Sequence, residues 1–329
     1  MKWSGRRVLV TGAGGFIGSH LVERLVESGA DVTAFLHYRS SGGSGLLEEV
    51  EPRIRSSIRQ RAGDLRDFES VRRAVASHEL VFHLGALVGI PYSYANPSAI
   101  AQTNILGTLN VLTASRDTGV ARVVHTSTSE VYGSAQRVPI DERHPLAPQS
   151  PYAASKVAAD ALAASFQRSF GLPVVTVRPF NTYGPRQSGR AVIPAIAGQA
   201  LHADRVRIGS LTPTRDFNYI SDTVAGFLAL AGCDAAIGRE INLGSGTEVS
   251  VGEVAQKIIR LAGREVAVES AEERVRPRAS EVMRLVADSS EAHALTGWAT
   301  RVTLDEGLAH VIEFLARRPE WTRVGEYEI

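Results

Sequence analysis

The 329-residue chain has a single cysteine, Cys233, so it can form no internal disulfide and no cysteine-built zinc cluster. That scarcity fits a reducing compartment. Charge of one sign is not in excess, since 36 basic residues face 35 acidic ones. Such a balance gives no pull toward nucleic acid or a membrane surface. No apolar run approaches the roughly 20 residues that cross a bilayer. The N-terminus runs into a strand-like segment without a secretory leader, so a cytoplasmic enzyme is expected. The nine histidines show no metal-ligand spacing, and no metal is expected. His83 and His125, at strand positions, are expected to be packed or hydrogen-bonded.

What is present is a glycine cluster between a strand and a helix. Val8–Val10 is a β-branched, apolar run, and Phe16–Val26 is amphipathic. Between and into them fall Gly12, Gly15 and Gly18. Gly12 allows a tight turn, Gly15 lets backbone approach a pyrophosphate, and Gly18 lets helix pack on strand. The helix N-terminus then offers free N–H groups to phosphates. A glycine-rich turn without a ligand would need none of this order.

Further strands are predicted at Val32–Leu36, Val81–Leu84, Arg122–Ser127 and Val174–Arg178, with helices at Ile105–Ser115 and Tyr152–Phe170. Ser40–Gly45 reads as a flexible loop. The alternation predicts an α/β fold, a doubly wound parallel (Rossmann) sheet covered by helices on both faces. After about Asn181 the segments shorten, although Val249–Ala262 and Leu304–Ala316 read as amphipathic helices. The chain is therefore divided into a dinucleotide-binding domain, residues 1–180, and a smaller substrate-binding lobe, residues 181–329. Residues near 217–244 are expected to return to the first domain, because Ile241–Leu243 reads as a strand of the main sheet.

The second informative motif is Tyr152-Ala153-Ala154-Ser155-Lys156. On a helix, positions i and i+4 share a face. An ammonium beside a phenol stabilises phenolate, so the Tyr152 pKa is expected to fall toward neutrality. That would make a general base for an alcohol undergoing oxidation.

With these motifs in order, the chain resembles the extended short-chain dehydrogenases/reductases that act on nucleotide sugars. The resemblance is carried by Thr11–Gly18, Gly63-Asp64-Leu65, His83–Ala86, Asn104, Ser127–Gly133, Tyr152–Lys156, Arg178–Pro185 and Arg215–Tyr219. It implies a bound nicotinamide cofactor beside Gly12, Gly15, Phe16, Ile17, Gly18, Leu84, Ala86, Tyr152, Lys156 and Pro179. Asp64 and Leu65 would hold the adenine. Thr128 would bind the sugar 4-OH beside Tyr152. Ser93, Asn181, Arg186 and Arg215 would contact the sugar nucleotide, with Arg276 or Arg278 as a further phosphate ligand. Arginine suits phosphate because its planar fork can bind two oxygens. A homodimer built on the helices at Ile105–Ser115 and Tyr152–Phe170 is also implied.

Family members share oxidation at C4 and then diverge. Glu130 stands where 4,6-dehydratases carry the carboxylate that takes the C5 proton. Ser129 departs from the dTDP-glucose enzymes, which have an aspartate there as acid for the departing 6-OH. The Ser127–Gly133 string also resembles UDP-glucuronate decarboxylases. However, those place Tyr four residues before the Pro of an Asn-Pro pair, and here Ser93 precedes Asn96-Pro97. Across its length the chain resembles the legionaminic-acid-pathway dehydratases of UDP-N-acetylglucosamine. The alternatives are the decarboxylase, a 4-epimerase, a plain carbonyl reductase and a non-enzymatic nucleotide sensor. Strand two ends Leu36-His37-Tyr38-Arg39 without the acid that binds the ribose diol of NAD. NAD is nevertheless the expected cofactor, bound tightly and regenerated each turnover. NADP is the alternative, with Arg39 cradling its 2′-phosphate.

Overall fold

A computed structural model of the chain describes residues 2–40, 42–271 and 277–321, with Arg278 described by its backbone alone. Seven strands form one parallel sheet: β1 (Arg7–Thr11), β2 (Asp31–His37), β3 (Arg59–Gly63), β4 (Leu80–His83), β5 (Arg122–Thr126), β6 (Val174–Pro179) and β11 (Glu240–Leu243). Their order is β11-β6-β5-β4-β1-β2-β3. Val8, Leu9 and Val10 are fully buried, as are Val81, Phe82, Val123 and Val124. Burial on both faces explains why these strands read as unbroken apolar runs. The order reverses between β1 and β4, and ligands of such sheets bind beyond the strand carboxyl ends at that reversal.

Two helical layers cover the sheet. On one face lie α1 (Phe16–Glu27) and α9 (Ile220–Ala231), with α2 (Pro52–Ser56) packed on α1. Their core joins Leu21, Leu25, Val224, Phe227 and Leu230 to strand residues Val10, Phe82 and Val124. Against the other pack α3 (Phe68–Val75), α6 (Gly107–Thr118) and α7 (Pro151–Phe170), around Leu9, Val111 and Phe166. The approach to α6 runs through α4 (Ile90–Ala95), α5 (Pro97–Ala101) and a π-helical turn at Gln102–Leu106. The ends of α7 are set by sequence. The Ser150 hydroxyl accepts the Ala153 N–H at 3.1 Å, Pro151 opens the helix, and Gly171 closes it at φ 68°.

The remaining strands are short. β7 (Asn181–Tyr183) pairs with β10 (Phe217–Tyr219), and β8 (Arg205–Ile208) with β13 (Ala267–Ser270). β9 (Thr214–Arg215) lies between β12 (Val249–Ser250) and β14 (Arg284–Leu285). A separate core joins α8 (Val192–His202), α10 (Val251–Leu261) and α12 (Leu304–Ala316) through Ile196, Val254, Ile258 and Leu308. Helix α11 (Ser290–Thr296) packs on α9 and β11. Boundaries shift from the sequence expectation at α6, which runs Gly107–Thr118 rather than Ile105–Ser115, and at α10. Val249 and Ser250 belong to a strand, because Ser250 and Glu253 form a capping box that starts the helix at Val251.

Candidate active site

The carboxyl ends of β1, β4, β5 and β6 open onto a cleft of ≈ 590 Å³. Gly12, Gly15, Phe16, Ile17 and Gly18 form one wall and Leu84 and Ala86 the next. Thr126–Glu130, Tyr152 and Pro179–Thr182 complete the far end. Each glycine has its own cause. Gly12 has φ +69°, and a Cβ there would lie 2.7 Å from the Gly85 nitrogen. On Gly18 a Cβ would lie 2.1 Å from the Gly12 carbonyl oxygen, so only glycine lets α1 approach β1. Gly15 caps α1 with no side-chain hydrogen bond and no acid in the first turn. The free N–H groups of that turn face the cleft, a ready site for a pyrophosphate.

The chemical end is built on α7 and the turn after β5. Tyr152 and Lys156 lie one helical turn apart, both buried. Thr128 caps a 3₁₀ turn, Ser129–Tyr132, by accepting the Glu130 N–H at 3.3 Å, and it also hydrogen-bonds Tyr152. Ser129 and Glu130 line the cleft beside them. The expectation of a tyrosine with a lowered pKa is corrected here. Burial pushes the Tyr152 hydroxyl up to about 12, and the charges of Glu130 and Asp160 push the same way, against the Thr128 hydrogen bond. Burial also pulls the Lys156 ammonium down to about 8. Removing the phenolate from water is the largest effect on this phenol.

Several polar atoms at this end have no partner among the described residues. They include Asn181 Oδ1 and Thr126 Oγ1, both of residues that line the cleft. Behind them Lys156 is buried, its charge supported by Asp160. Unsatisfied buried groups are costly, and these suit the hydroxyl and phosphate oxygens of a dinucleotide. The glycine wall, the helix terminus and these atoms fit a nicotinamide dinucleotide.

Not every expected residue lies here. Asp64 bonds Arg66 through both carboxylate oxygens, and Leu65 packs beneath Gly85 and Gly107. Neither side chain lines the cleft. Arg39 does, exposed near His37 and Ser44. Ser93 is fully buried, its hydroxyl donating to the Ile90 carbonyl at 2.6 Å. Arg186 was expected at the substrate. Instead its guanidinium bonds His20 and Glu23 and ties the chain after β7 to α1. Arg215 is buried on β9, with Thr214 and Glu281 as partners. Arg276 lies outside the described residues, and Arg278 falls in the 3₁₀ turn Arg278–Ser280. Among the described residues no three His, Cys, Asp or Glu could share a metal ion, and no helix is long and apolar enough to cross a membrane.

Sequence reasoning missed the ribose end of the cleft, where Ser44 and Gly45 reach Gly14. The Leu46 N–H donates to the Gly14 carbonyl at 3.0 Å. The glycines of that loop were visible, but not the side of the sheet to which it folds. Asn104 was noted only as a motif. Its side chain accepts the Leu87 N–H at 2.8 Å and donates to Ser155 at 2.9 Å, fixing the loop after β4 against α7.

Residues 9–311 match the family model described as GDP-mannose 4,6 dehydratase. The chain is 35% identical over 320 residues to a UDP-glucose 4-epimerase of Mycolicibacterium smegmatis, covering 95% of this chain and 100% of that protein. It is 34% identical over 319 residues to a dTDP-glucose 4,6-dehydratase of Streptomyces griseus, covering 95% of each. The structure of DesIV, a dTDP-glucose 4,6-dehydratase from Streptomyces venezuelae with NAD and TYD bound, superposes with a TM-score of 0.86 at 30% identity. That match covers 96% of this chain and 99% of DesIV.

Proposed function

The chain belongs to the GDP-mannose 4,6 dehydratase family of nucleotide-sugar dehydratases and epimerases, and from that premise we propose that it is a 4,6-dehydratase of UDP-N-acetylglucosamine. The relatives that this reading follows are those of the legionaminic acid pathway. The observation that carries it is Glu130, a carboxylate lining the cleft beside Thr128 and Tyr152. The cofactor is NAD, as in the similar DesIV structure. Gly12, Gly15, Phe16, Ile17 and Gly18 would hold its pyrophosphate, Leu84, Ala86 and Pro179 would flank it, and Lys156 would meet its ribose. When bound, it would supply the hydride acceptor for oxidation at C4 and the hydride returned to C6.

The chain's own groups then divide the proton work. Thr128 orients the 4-OH, and Tyr152 takes its proton. The 4-keto sugar is acidic at C5, where Glu130 removes the proton. Ser129 is a poor acid, so Glu130, once protonated, serves the departing O6, and water leaves across C5–C6. Asn181, Arg215 and the Arg276–Arg278 segment hold the diphosphate. With hydride returned to C6 and a solvent proton taken up at C5, the product would be a 4-keto-6-deoxy sugar nucleotide. Exposed Leu106 and Phe170, beside and on α6 and α7, support a homodimer through these helices. A cytoplasmic location belongs to the same proposal and rests on the single cysteine.

One observation favours a second reading. Ser129 leaves the C6 oxygen without an acid of its own, which a 4-epimerase does not need. Mass spectrometry of the NAD-loaded protein with UDP-N-acetylglucosamine, UDP-glucuronate and dTDP-glucose separates the cases. Loss of water from the first supports the dehydratase. Loss of carbon dioxide from the second would transfer the protein to the decarboxylases. Epimerisation without mass change, read by NMR, would make it a 4-epimerase. The Glu130→Gln variant is expected to lose dehydration while still oxidising C4, seen as reduced cofactor that accumulates. A normal rate of water loss in that variant would remove Glu130 from the mechanism.

A further inference from the structure

Behind the Tyr152–Lys156 pair lies a buried carboxylate that the mechanism above does not use. Asp160 continues the same face of α7, one turn beyond Lys156, and is 4% exposed. Three elements bring donors to it. His125 of β5 bonds Oδ1 at 3.0 Å. Ser127, just past β5 and lining the cleft, donates to Oδ2 at 2.7 Å. Arg178 of β6 donates to Oδ2 through Nε at 3.3 Å and Nη2 at 3.1 Å. Arg178 also donates to the Tyr132 hydroxyl at 3.1 Å, which itself donates to Asn242 on β11 at 2.8 Å. The carboxylate is thus fixed from β5, β6 and the turn above them.

The geometry points to Asp160 as a positioning residue that keeps Lys156 in its ammonium form beneath the cleft, with His125, Ser127 and Arg178 holding the carboxylate ionised for that purpose. The inference rests on the reading that Tyr152 and Lys156 carry the proton transfer. Other ionisable groups face the cluster from the packed elements. They are Tyr152 on α7, His83 on β4, His125 on β5, Arg178 on β6, and Glu130 and Tyr132 in the 3₁₀ turn, while α4, packed on α7, carries Tyr92 and Tyr94. Helix α5 and the π-helical turn bring no charged group, and Arg116 of α6 lies over Phe166 and Phe170, at the far end of α7. Burial disfavours the charged form of His83 and His125, and both stay neutral beside Lys156. Burial pulls the Lys156 ammonium down, and the charge of Asp160, one turn along the same buried face, opposes it. The carboxyl of Asp160 is held below the usual range despite burial, by His125, Arg178 and Ser127. A phenolate at Tyr152 needs a neighbouring cation, and a neutral Lys156 would supply none.

The chain suits a direct test because it has three lysines: Lys2, Lys156 and Lys257. In protein labelled with ¹³C-lysine, the Lys156 side-chain signal can be assigned by its loss in Lys156→Met and followed against pH, with Lys2 and Lys257 as internal references. The wild-type chain is expected to titrate at about 8 at this position. In Asp160→Asn the proton affinity of Lys156 should fall roughly tenfold or more, the effect of removing an opposite charge at short range. Asp160→Glu should restore most of it. An unchanged Lys156 titration in folded Asp160→Asn overturns the inference. Should Asp160→Asn fail to fold with Arg178 left unpaired, the double variant Asp160→Asn/Arg178→Gln replaces the ion pair by two amides. Losing the Arg178 cation favours the ammonium, so the reference there is Arg178→Gln alone: a fall relative to that single variant is expected, and its absence would count equally against Asp160. Because the titration needs no substrate, it stands or falls apart from the choice of sugar. With a turned-over substrate, the alkaline limb of the rate profile should move to lower pH in Asp160→Asn. A loss of rate equal at every pH would assign the residue a structural role alone.

Discussion

At the scale of single residues, the site is tuned by what burial does to charge. The Tyr152 phenol is held near 12 by desolvation and by two carboxylates, so cationic charge has to converge on it before it works at neutral pH. Tyr152→Phe is expected to lower turnover by roughly 10²–10⁴, the usual share of general base catalysis. NAD affinity and melting temperature should stay close to wild type, because the hydroxyl alone is removed. A rate within threefold of wild type (roughly 0.7 kcal/mol) would place the base elsewhere. Histidines supply a second residue-scale effect. Burial pulls His20 down to about 3 and moves His83 and His125 in the same direction. The unfolded chain protonates these rings near 6.5 while the folded chain does not, so stability is complete above that pH and falls as the pH drops below it. His20 alone contributes a loss of about 2 kcal/mol between there and about pH 5. Thermal melts across this window should show the decline, and His20→Gln should flatten it. Asp160 was the residue that escaped sequence reasoning. Its spacing from Lys156 was visible, but its partners His125 and Arg178 come from two other strands.

At the scale of elements, the strand–turn–helix at the N-terminus separates packing from binding. Gly18 and Gly15 lie three residues apart and both face the Gly12 carbonyl oxygen, but at different distances. A Cβ at Gly18 would sit 2.1 Å from the Gly12 carbonyl oxygen, so Gly18→Ala must push α1 off β1. It is expected to cost about 1–3 kcal/mol, as other overpacked sites do, and to weaken NAD binding with it. At Gly15 the only close atom is that same oxygen at 3.1 Å. Gly15→Ala should leave the melting temperature of the cofactor-free chain within a few degrees (about 1 kcal/mol or less) yet sharply reduce NAD affinity. Differential scanning calorimetry with NAD titration reads both, and equal effects of the two variants would remove the distinction. This element was fully legible in sequence, because strand, glycines and helix are adjacent along the chain. Arg186 was misplaced for the opposite reason: its partners His20 and Glu23 lie about 165 positions away, on α1.

At the scale of the whole molecule, the chain leaves the parallel sheet after β6 and comes back to it. Helix α9 and strand β11 enter after β7–β10 have been laid down, and they complete the core that α1 begins. Trp298, much later, donates from its indole to the Asp222 carbonyl at 2.9 Å, and the Asp222 carboxylate accepts the Arg301 and Val302 N–H groups at 2.9 and 3.0 Å. A fragment of residues 1–180 would lose Phe227 and Leu230 from the core that also holds Val10, Phe82 and Val124. It is expected to lack a cooperative thermal transition and to bind no NAD, by circular dichroism and cofactor titration. A folded, NAD-binding fragment would show that the first domain is complete without the returning segment.

The sequence by itself determined the parallel α/β architecture, the glycine turn and the Tyr152–Lys156 face. Each is written in neighbouring residues: apolar runs for strands buried on both sides, glycines at a turn, and four-residue spacing on one helix. Tertiary structure decided what depends on distant segments meeting. It sent Arg186 to α1 and folded the Ser44–Gly45 loop onto Gly14. It also set the charge of the site, because desolvation depends on what surrounds a side chain, and no local spacing records that. Whether a tyrosine beside a lysine is acidic or stubbornly neutral is a property of the closed core around both.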